Sequence, residues 1–375
     1  MSDSRVTIVV VPRERFSLTE LSLERLYAQT PLPFKLVYVD GGSPARVKRY
    51  LETQARERGF QLIRTDHYLA PNEARNLGLR SVDTRFVVFL DNDVLVSPGW
   101  LEALVRCAED HADAWVVGSV YCIDAPQGEI PYRVGGNVAG RQSSEPHSMP
   151  QQGLCEFVEF RGMLVCTEVF QWFGALDESL LSGREHIDFC MRVREVGGSI
   201  YVEPNSVVTV PTRPLRWSDL PYFLLRYSDE WCRRTLHRFR YKWELHDHDP
   251  DLVAQREWFE RHRRRAFKQL DGAASRTLGR LLGASGKDAV LCSIEPALTR
   301  WALHQAINRR RRGTLHAEAH AERPLLLRLY AGALRLLSDS LHPSRETSQV
   351  RGTERIAPLL SPPSSGISKG GRDRA

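Results

Sequence analysis

Short apolar segments alternate with helical patterns through the first 112 residues, and this alternation constrains the fold more than any other feature. The segments are Val6–Val11, Phe34–Val39, Gln61–Arg64 and Arg85–Leu90. The first is a continuous β-branched run that is apolar on both faces, as a buried parallel strand is. Helices are predicted between and after them at Leu18–Ala28, Ala45–Arg58, Pro71–Ser81 and Trp100–Ala112. Strands separated by helices of this length predict βαβ units and a parallel sheet covered on both faces.

The alternation loosens after residue 112 but strand and helix patterns continue to residue 210. Strands are expected at Trp115–Ile123, Phe157–Thr167, Ser199–Val202 and Val207–Val210. Asp124–Gly153 is rich in Gly, Pro, Ser and Gln and predicts a mobile loop, and Glu185–Val196 has the pattern of an amphipathic helix. Pro211 and Pro214 follow the last strand. We therefore predict a first domain over residues 1–215.

The composition changes near Trp217, where the chain becomes helical and rich in arginine. The arginine runs are Arg233-Arg234 with Arg238 and Arg240, Arg261–Arg265, and Arg309–Arg312. They predict a basic helical extension over residues 216–343, which includes an amphipathic helix at Leu325–Leu337. Residues 344–375 are dominated by Ser, Pro, Gly and Arg, which favours a disordered tail.

Charge and cysteine usage limit the partners and the compartment. The net charge of +6 and the pI near 9.0 favour anionic partners. No helix-turn-helix, zinc-finger or RNA-recognition pattern accompanies the arginine runs, which argues against nucleic acid and leaves a solvated face, an oligomer contact or an anionic membrane surface. The seven cysteines form no CxxC pair, and neither a signal peptide nor an apolar run of spanning length occurs. We expect a soluble cytoplasmic protein that can rest on a membrane surface.

Polar clusters follow two of the predicted strands. Asp40-Gly41-Gly42-Ser43 comes after the second strand, and Asp91-Asn92-Asp93 comes after the fourth. In open α/β sheets ligands bind beyond the carboxyl ends of the strands. Two carboxylates at i and i+2 can face one ligand, and Mg²⁺ prefers carboxylate and phosphate oxygens. The pattern favours a divalent-metal site, although aspartates are also common as turn and capping residues.

Six segments in a fixed order resemble the inverting family 2 glycosyltransferases, which have the GT-A fold. They are Val6–Val11 with Pro12, Val39–Ser43, Asn72–Gly78, Phe89–Asp93, Phe173–Glu178 and Gly183–Arg192. The resemblance spans roughly residues 5 to 212. It implies an α/β fold with a GT-A, nucleotide-diphospho-sugar transferase-like mixed sheet flanked by helices, followed by the α-helical C-terminal extension. It also implies transfer of a hexose-type sugar from a nucleotide-sugar donor to a hydroxyl acceptor.

The same resemblance implies which residues bind the donor. Pro12 would border the donor site, and Asp40 would hydrogen-bond the base, most often uracil. Arg75 and Asn76 would hold either the base or the fold beneath it. The acceptor, whether a glycan, a lipid-linked compound or a small molecule, is not specified by any motif.

The aspartate triplet would carry the metal. Asp91 would touch the ribose or the metal and its water, and Asp93 would ligate the Mn²⁺ or Mg²⁺ ion that bridges the diphosphate. Such an ion neutralises charge on the leaving nucleoside diphosphate. Relatives often add a histidine just after the last strand, but Val208–Arg213 contains none. His186, or phosphates and water, could complete the coordination, and Arg213 and Arg216 could add positive charge.

An inverting transfer also needs a base that accepts the acceptor hydroxyl proton. The family supplies it from a Glu-Asp pair at the start of the late helix, where this chain has Glu185-His186, with Asp188 two residues on. We favour Glu185, then His186, then Asp188; a merely structural acidic cluster is the remaining interpretation. The departures from the family pattern also support an alternative function, a catalytically impaired GT-A-like module that binds nucleotide sugars.

Overall fold

The structure is a computed structural model that describes residues 4–125, 128–133, 152–270 and 273–313. Its strands are β1 Val6–Val11, β2 Lys35–Gly41, β3 Gln61–Thr65, β4 Phe86–Asp91, β5 Leu95–Val96, β6 Ala114–Ala125, β7 Gly128–Arg133, β8 Gly153–Leu154, β9 Met163–Cys166 and β10 Ser199–Val210. Its helices are a 3₁₀ turn at Phe16–Leu18, α1 Thr19–Ala28, α2 Ala45–Arg58, α3 Pro71–Leu79, α4 Trp100–Asp110, α5 Val169–Phe173, α6 Glu185–Glu195, α7 Leu220–Arg226, α8 Asp229–Lys242, α9 Pro250–Lys268 and α10 Ala273–Gly313.

The strands form one mixed sheet in the order β3-β2-β1-β4-β9-β6-β10-β5, with β7 paired to β6 and β8 to β10. The first four strands in chain order are parallel, which confirms the predicted βαβ units. β9 is antiparallel to both β4 and β6 and makes the sheet mixed. The predicted GT-A type of fold, a mixed sheet flanked by helices and followed by a helical region, is therefore confirmed.

Two predictions of strands and one of a loop were wrong in extent. Within the predicted strand Phe157–Thr167, β9 covers Met163–Cys166 alone, because Gly162 has a φ of 131° that breaks the extended backbone. The two closing strands are one strand, β10, with a register irregularity between Glu203 and Val207. Part of the predicted loop after residue 123 is paired structure, since β6 continues to Ala125 and β7 follows. Residues 134–151 lie outside the described part of the chain.

Helices cover both faces of the sheet, as predicted. Alternate residues of β1 enter two separate cores: Val9 and Val11 pack on the α6 side, and Ile8 and Val10 pack on the side of α1 and α4. Gly78 lets α3 approach the sheet closely, because a Cβ at that position would lie 2.3 Å from Cγ1 of Val9. The carboxyl ends of β1, β2 and β4 consequently meet at one edge, beside the start of α3.

The helical region after residue 215 packs against the sheet-containing part of the chain. α10 contacts α7 and α9, and it bends at Gly283, whose φ is 68°. The division at residues 215/216 stays a prediction, and the predicted helix Leu325–Leu337 and the tail 344–375 lie outside the described residues. In the described ranges no helix is both long and apolar enough to cross a membrane.

Candidate active site

The Asp91-Asn92-Asp93 triplet is joined to the loop that follows β1. Oδ1 of Asn92 accepts a hydrogen bond from the backbone N–H of Arg13 at 2.8 Å. Oδ2 of Asp93 accepts from the N–H groups of Glu14 and Arg15, both at 3.1 Å. The triplet therefore holds the ends of β1 and β4 together. The other carboxylate oxygen of Asp93, Oδ1, is buried without a hydrogen-bond partner.

Asp91 lies among guanidinium groups. Its carboxylate is 1% exposed and is 3.5 Å from Nε of Arg13, 3.5 Å from Nη2 of Arg75 and 3.8 Å from Nε of Arg161. None of these distances is a hydrogen bond, and both carboxylate oxygens lack a hydrogen-bond partner. Arg75 also lies 4.0 Å above the ring of Phe160, which supports its buried guanidinium. Arg75 is therefore placed beside a predicted donor-site carboxylate.

The carboxylates at the end of β4 suit a divalent cation. Burial, the nearby Glu14 and Asp91 raise the pKa of Asp93 to about 7, and Arg161 and Arg15 offset part of the effect. A cation would relieve this repulsion and would use the unpaired oxygens of Asp91 and Asp93. The described residues contain no group of three or more His, Cys, Asp or Glu side chains that could hold an ion alone. The site therefore fits an ion whose remaining ligands are phosphate oxygens and water.

Asp40, at the end of β2, stabilises the turn that follows this strand. Its carboxylate accepts hydrogen bonds from the N–H of Ser43 at 3.0 Å and from Oγ of Ser43 at 2.8 Å, and it pairs with Arg64. Gly42 in this turn has a φ of 72°, and a Cβ there would lie 2.9 Å from the carbonyl carbon of His67. Asp40 is 1% exposed. Its hydrogen bond to a nucleotide base stays a prediction.

Asn76 faces the segment after α5. Its Nδ2 donates to the carbonyl oxygen of Leu176 at 2.9 Å and to Oε1 of Glu178 at 2.8 Å. Its Oδ1 accepts from the N–H of Leu176 at 2.9 Å. Asn76 thus joins α3 to the segment after α5, and both of its expected roles toward the donor stay predictions.

The start of α6 places the first candidate base near the donor residues. Glu185 is 2% exposed, and its Oε1 lies 3.4 Å from Nη2 of Arg226. Burial raises the pKa of Glu185, while the charges of Arg13 and Arg75 partly offset that rise. Glu185 therefore interacts electrostatically with Arg13 and Arg75, which also lie beside Asp91.

The other two candidate bases have different surroundings. Nε2 of His186 is 3.6 Å from Oε1 of Glu159. Asp188 accepts hydrogen bonds from Nζ of Lys242 at 2.8 Å and from Nε1 of Trp243 at 2.9 Å. The structure thus places Glu185 against α7, but Asp188 against the end of α8, although helical spacing puts both residues on one face. Asp188 anchors the C-terminal helices.

Those helices reach the loop that follows β1. Oη of Tyr222 lies 3.0 Å from the carbonyl oxygen of Leu69 and 3.3 Å from that of Pro12, and the expected place of Pro12 beside a donor stays a prediction. The hydroxyl group of Tyr227 donates a hydrogen bond to Glu14. The loop after β1 is therefore contacted from β4 on one side and from α7 and the residue after it on the other.

Several residues of this site were not predicted from the sequence. Arg13 and Glu14 directly follow β1, so their place at a strand end was an available signal. Arg161, together with Glu159, interrupts a segment that is mainly apolar, and such charges were a second signal. No sequence signal marked Tyr227, because a tyrosine in a helical segment is common in a hydrophobic core. Arg213 and Arg216, which were expected to add positive charge, are exposed.

A mixed sheet of this order, flanked by helices and with carboxylates and arginines at the carboxyl ends of its strands, is a fold of the GT-A type. Residues 7–173 match the model of the family Glycosyl transferase family 2. The predicted resemblance is confirmed.

Two relatives and two solved structures illustrate the similarity. The chain is 28% identical over 206 residues to the Pre-mycofactocin glycosyltransferase of Mycobacterium tuberculosis, covering 54% of this chain and 42% of that protein. It is 23% identical over 111 residues to an uncharacterized glycosyltransferase of Rickettsia bellii, covering 30% and 16%. The chain thus spans less than half the length of either relative.

The two solved structures are more distant. GalNAc-T7 with UDP, GalNAc and Mn²⁺ is 15% identical, with a TM-score of 0.47 over 68% of this chain and 55% of that one. S. aureus TarS 1-349 is 17% identical, with a TM-score of 0.43 over 82% and 90%.

Proposed function

We propose that the protein transfers a hexose-type sugar from a UDP-linked donor to a hydroxyl acceptor, with inversion and with the help of a divalent cation. The observation that carries the proposal is the pair of buried carboxylates, Asp91 and Asp93, whose unpaired oxygens lie at a strand end among arginines. The family match over residues 7–173 includes this strand end, and it supports nucleotide-sugar transfer.

The donor half of the site would be held from three strand ends. Asp93 and Asp91 would ligate Mn²⁺ or Mg²⁺ through the oxygens that have no hydrogen-bond partner. The bound ion supplies Lewis-acid stabilisation of the leaving diphosphate. Asp40, held by Ser43 and Arg64, would present its carboxylate at the base end of the nucleotide. Arg75 would keep Asp91 in place from behind.

The acceptor half needs a proton acceptor, and we propose Glu185. The acceptor oxygen attacks the anomeric carbon, its proton passes to the Glu185 carboxylate, and the bond between the anomeric carbon and the diphosphate breaks with its electron pair leaving on phosphate. A raised pKa brings a carboxylate closer to the operating pH and makes it a better base. Asp188 is less suited to accept the proton, because its carboxylate oxygens already accept hydrogen bonds from Lys242 and Trp243.

A second candidate function is a module that binds nucleotide sugars without turnover. It is favoured by His186 at the position where the family pattern has Asp, and by the absence of a histidine in Val208–Arg213. Both candidates share the donor site and differ only in catalysis.

We also propose that the protein works in the cytoplasm. None of the seven cysteines is in a disulfide bond, as is usual in a reducing compartment. The arginine-rich helices α8 and α9 would then be available to an anionic membrane surface.

Transfer with a panel of nucleotide sugars tests the proposal. Donors would first be ranked by the rise in melting temperature with Mn²⁺, and donor hydrolysis and transfer would then be measured for the wild type and for Asp93→Asn. We expect turnover by the wild type and loss of at least about a hundredfold in the variant, in line with removal of a charge-stabilising group. Asp83→Asn, at an exposed aspartate paired with Lys35, is the matched control and should be fully active. Donor binding without turnover would select the binding module, and no binding at all would refute both candidates.

A further inference from the structure

The arginines around Asp91 differ in how far they are sealed from solvent. The side chain of Arg75 is 1% exposed, whereas those of Arg13 and Arg161 are 13% and 10% exposed. Arg75 therefore forms the back wall of the site. Arg13 and Arg161 lie at its front, where a ligand can reach them.

The Arg13 and Arg161 side chains are incompletely satisfied by the protein. Nε of each is buried and has no hydrogen-bond acceptor among the described residues. Their nearest carboxylate oxygens, on Asp91 and Glu14, lie 3.5 to 3.8 Å away, beyond hydrogen-bond distance. A buried N–H group without an acceptor is costly, so the two Nε–H groups call for an anion with several oxygens.

Their positions are fixed by the surrounding fold. The backbone N–H of Arg13 is bound to Asn92, and the guanidinium of Arg161 lies 4.6 Å from the ring centre of Tyr121. The two side chains come from different segments, after β1 and before β9, and converge on the carboxylates expected to bind the metal. Planar guanidinium groups bind phosphate oxygens in pairs of parallel hydrogen bonds, which a lysine cannot do.

From this geometry we propose that Arg13 and Arg161 bind the diphosphate of the donor directly and share its neutralisation with the cation. This role rests on the proposed function, and it assigns diphosphate recognition to two residues outside the aspartate triplet. It also means that the nucleoside diphosphate retains measurable affinity when the divalent cation is removed.

Calorimetric titration in EDTA tests the assignment. Wild-type protein, Arg161→Gln and Arg13→Gln would each be titrated with UDP, inorganic pyrophosphate and uridine. We expect UDP and pyrophosphate binding to weaken by on the order of tenfold in each variant, while uridine binding is unchanged, because a hydrogen bond to a charged group is lost. Arg161→Lys should recover part of the pyrophosphate affinity through charge alone. Arg85→Gln, at an arginine that is 60% exposed beside Glu109, is the control and should bind as the wild type does.

The outcomes separate the two proposals. Variants that bind UDP and pyrophosphate as tightly as the wild type would overturn the diphosphate role and leave the proposed function standing. A wild type that binds no UDP even with Mn²⁺ would overturn the proposed function for this donor. If Arg161→Gln does not fold, Arg13→Gln and Arg161→Lys decide the question, since the first lies in a loop and the second keeps the buried charge.

Discussion

Tyr227 donates a hydrogen bond from its hydroxyl group to the carboxylate of Glu14, across 213 positions of the sequence. Tyr227 is 1% exposed and follows α7, whereas Glu14 lies in the loop after β1. Burial alone would raise the pKa of Glu14, but His262, Arg161 and Arg13 together lower it well below its usual range. An ionised carboxylate therefore joins the C-terminal helices to the loop that holds Asp93.

Replacing Tyr227 by Phe tests that link. The variant removes the hydroxyl donor and leaves a buried carboxylate short of one partner, so we expect the free energy of unfolding to fall by about 1–3 kcal/mol. We also expect weaker binding of UDP with Mn²⁺, since the backbone N–H of Glu14 is hydrogen-bonded to Asp93, a proposed metal ligand. Urea denaturation and calorimetry measure the two effects. Tyr241→Phe, at a tyrosine that is 73% exposed, is the control, and equal behaviour of both variants would contradict the link.

Glu185→Gln and Asp188→Asn should have opposite effects. We expect Glu185→Gln to abolish transfer with little change in UDP affinity, because it removes the proton acceptor and keeps the shape of the side chain. Asp188→Asn should leave turnover nearly intact but lower the free energy of unfolding by about 1–3 kcal/mol, since it weakens the anchors to Lys242 and Trp243. Transfer assays and urea denaturation on both variants provide the comparison.

If Glu185→Gln still transfers sugar, the base lies elsewhere, and His186→Gln becomes the decisive variant. His186 lies 3.6 Å from Glu159, so loss of activity in His186→Gln alone would assign the proton transfer to that pair.

The pH dependence of transfer should show the raised pKa of Glu185. Only the carboxylate accepts a proton, so activity is present above this pKa and is lost as the pH falls through it, starting above the usual glutamate value of about 4.3. The effect on stability has the opposite sign: the folded state binds this proton more readily than the unfolded chain, so protonating Glu185 does not unfold the protein. Profiles of kcat/KM with circular dichroism at each pH check this, and an acidic limb that coincides with unfolding would contradict it.

The Asn76→Ala variant distinguishes support of the fold by Asn76 from contact of Asn76 with the nucleotide base. Because Asn76 holds Leu176 and Glu178 through three hydrogen bonds, we expect its loss to cost about 1–3 kcal/mol of stability. UDP affinity should stay within about twofold of the wild type, by thermal melting and calorimetry. A large loss of UDP affinity at unchanged stability would instead indicate contact with the base.

The sequence predicted those parts of the fold that depend on local pattern. Val6–Val11 matched its strand to the residue, because a continuous β-branched run is apolar on both faces. The single strand β10 was divided in two, because its register irregularity interrupts the pattern at Glu203. β9 was extended too far, because Arg161 and Gly162 were included in an apolar run.

In the candidate site, too, the residues that a local pattern marks were predicted and those that depend on tertiary packing were not. Asp91 and Asp93 were found from their place after a buried strand, which is a local signal. The convergence of Arg13, Arg75 and Arg161 on Asp91 depends on which strands are neighbours in the sheet, and no spacing in the sequence encodes that. The different partners of Glu185 and Asp188 depend on where α7 and α8 pack, which is a tertiary property.

The contacts of Tyr222 and Tyr227 with the loop after β1 set an order for assembly. The partners of Pro12 and Glu14 lie 210 and 213 positions further along the chain. Contacts between residues so distant in sequence form late in folding, and during synthesis domains generally fold from the N-terminus. The sheet strands β1 to β4 leave the ribosome long before α7 does. Asp91 and Asp93 are therefore synthesised well before the tyrosines that fasten the loop beside them. On the proposed function, we expect a nascent chain to bind the donor only after residue 227 has emerged and docked.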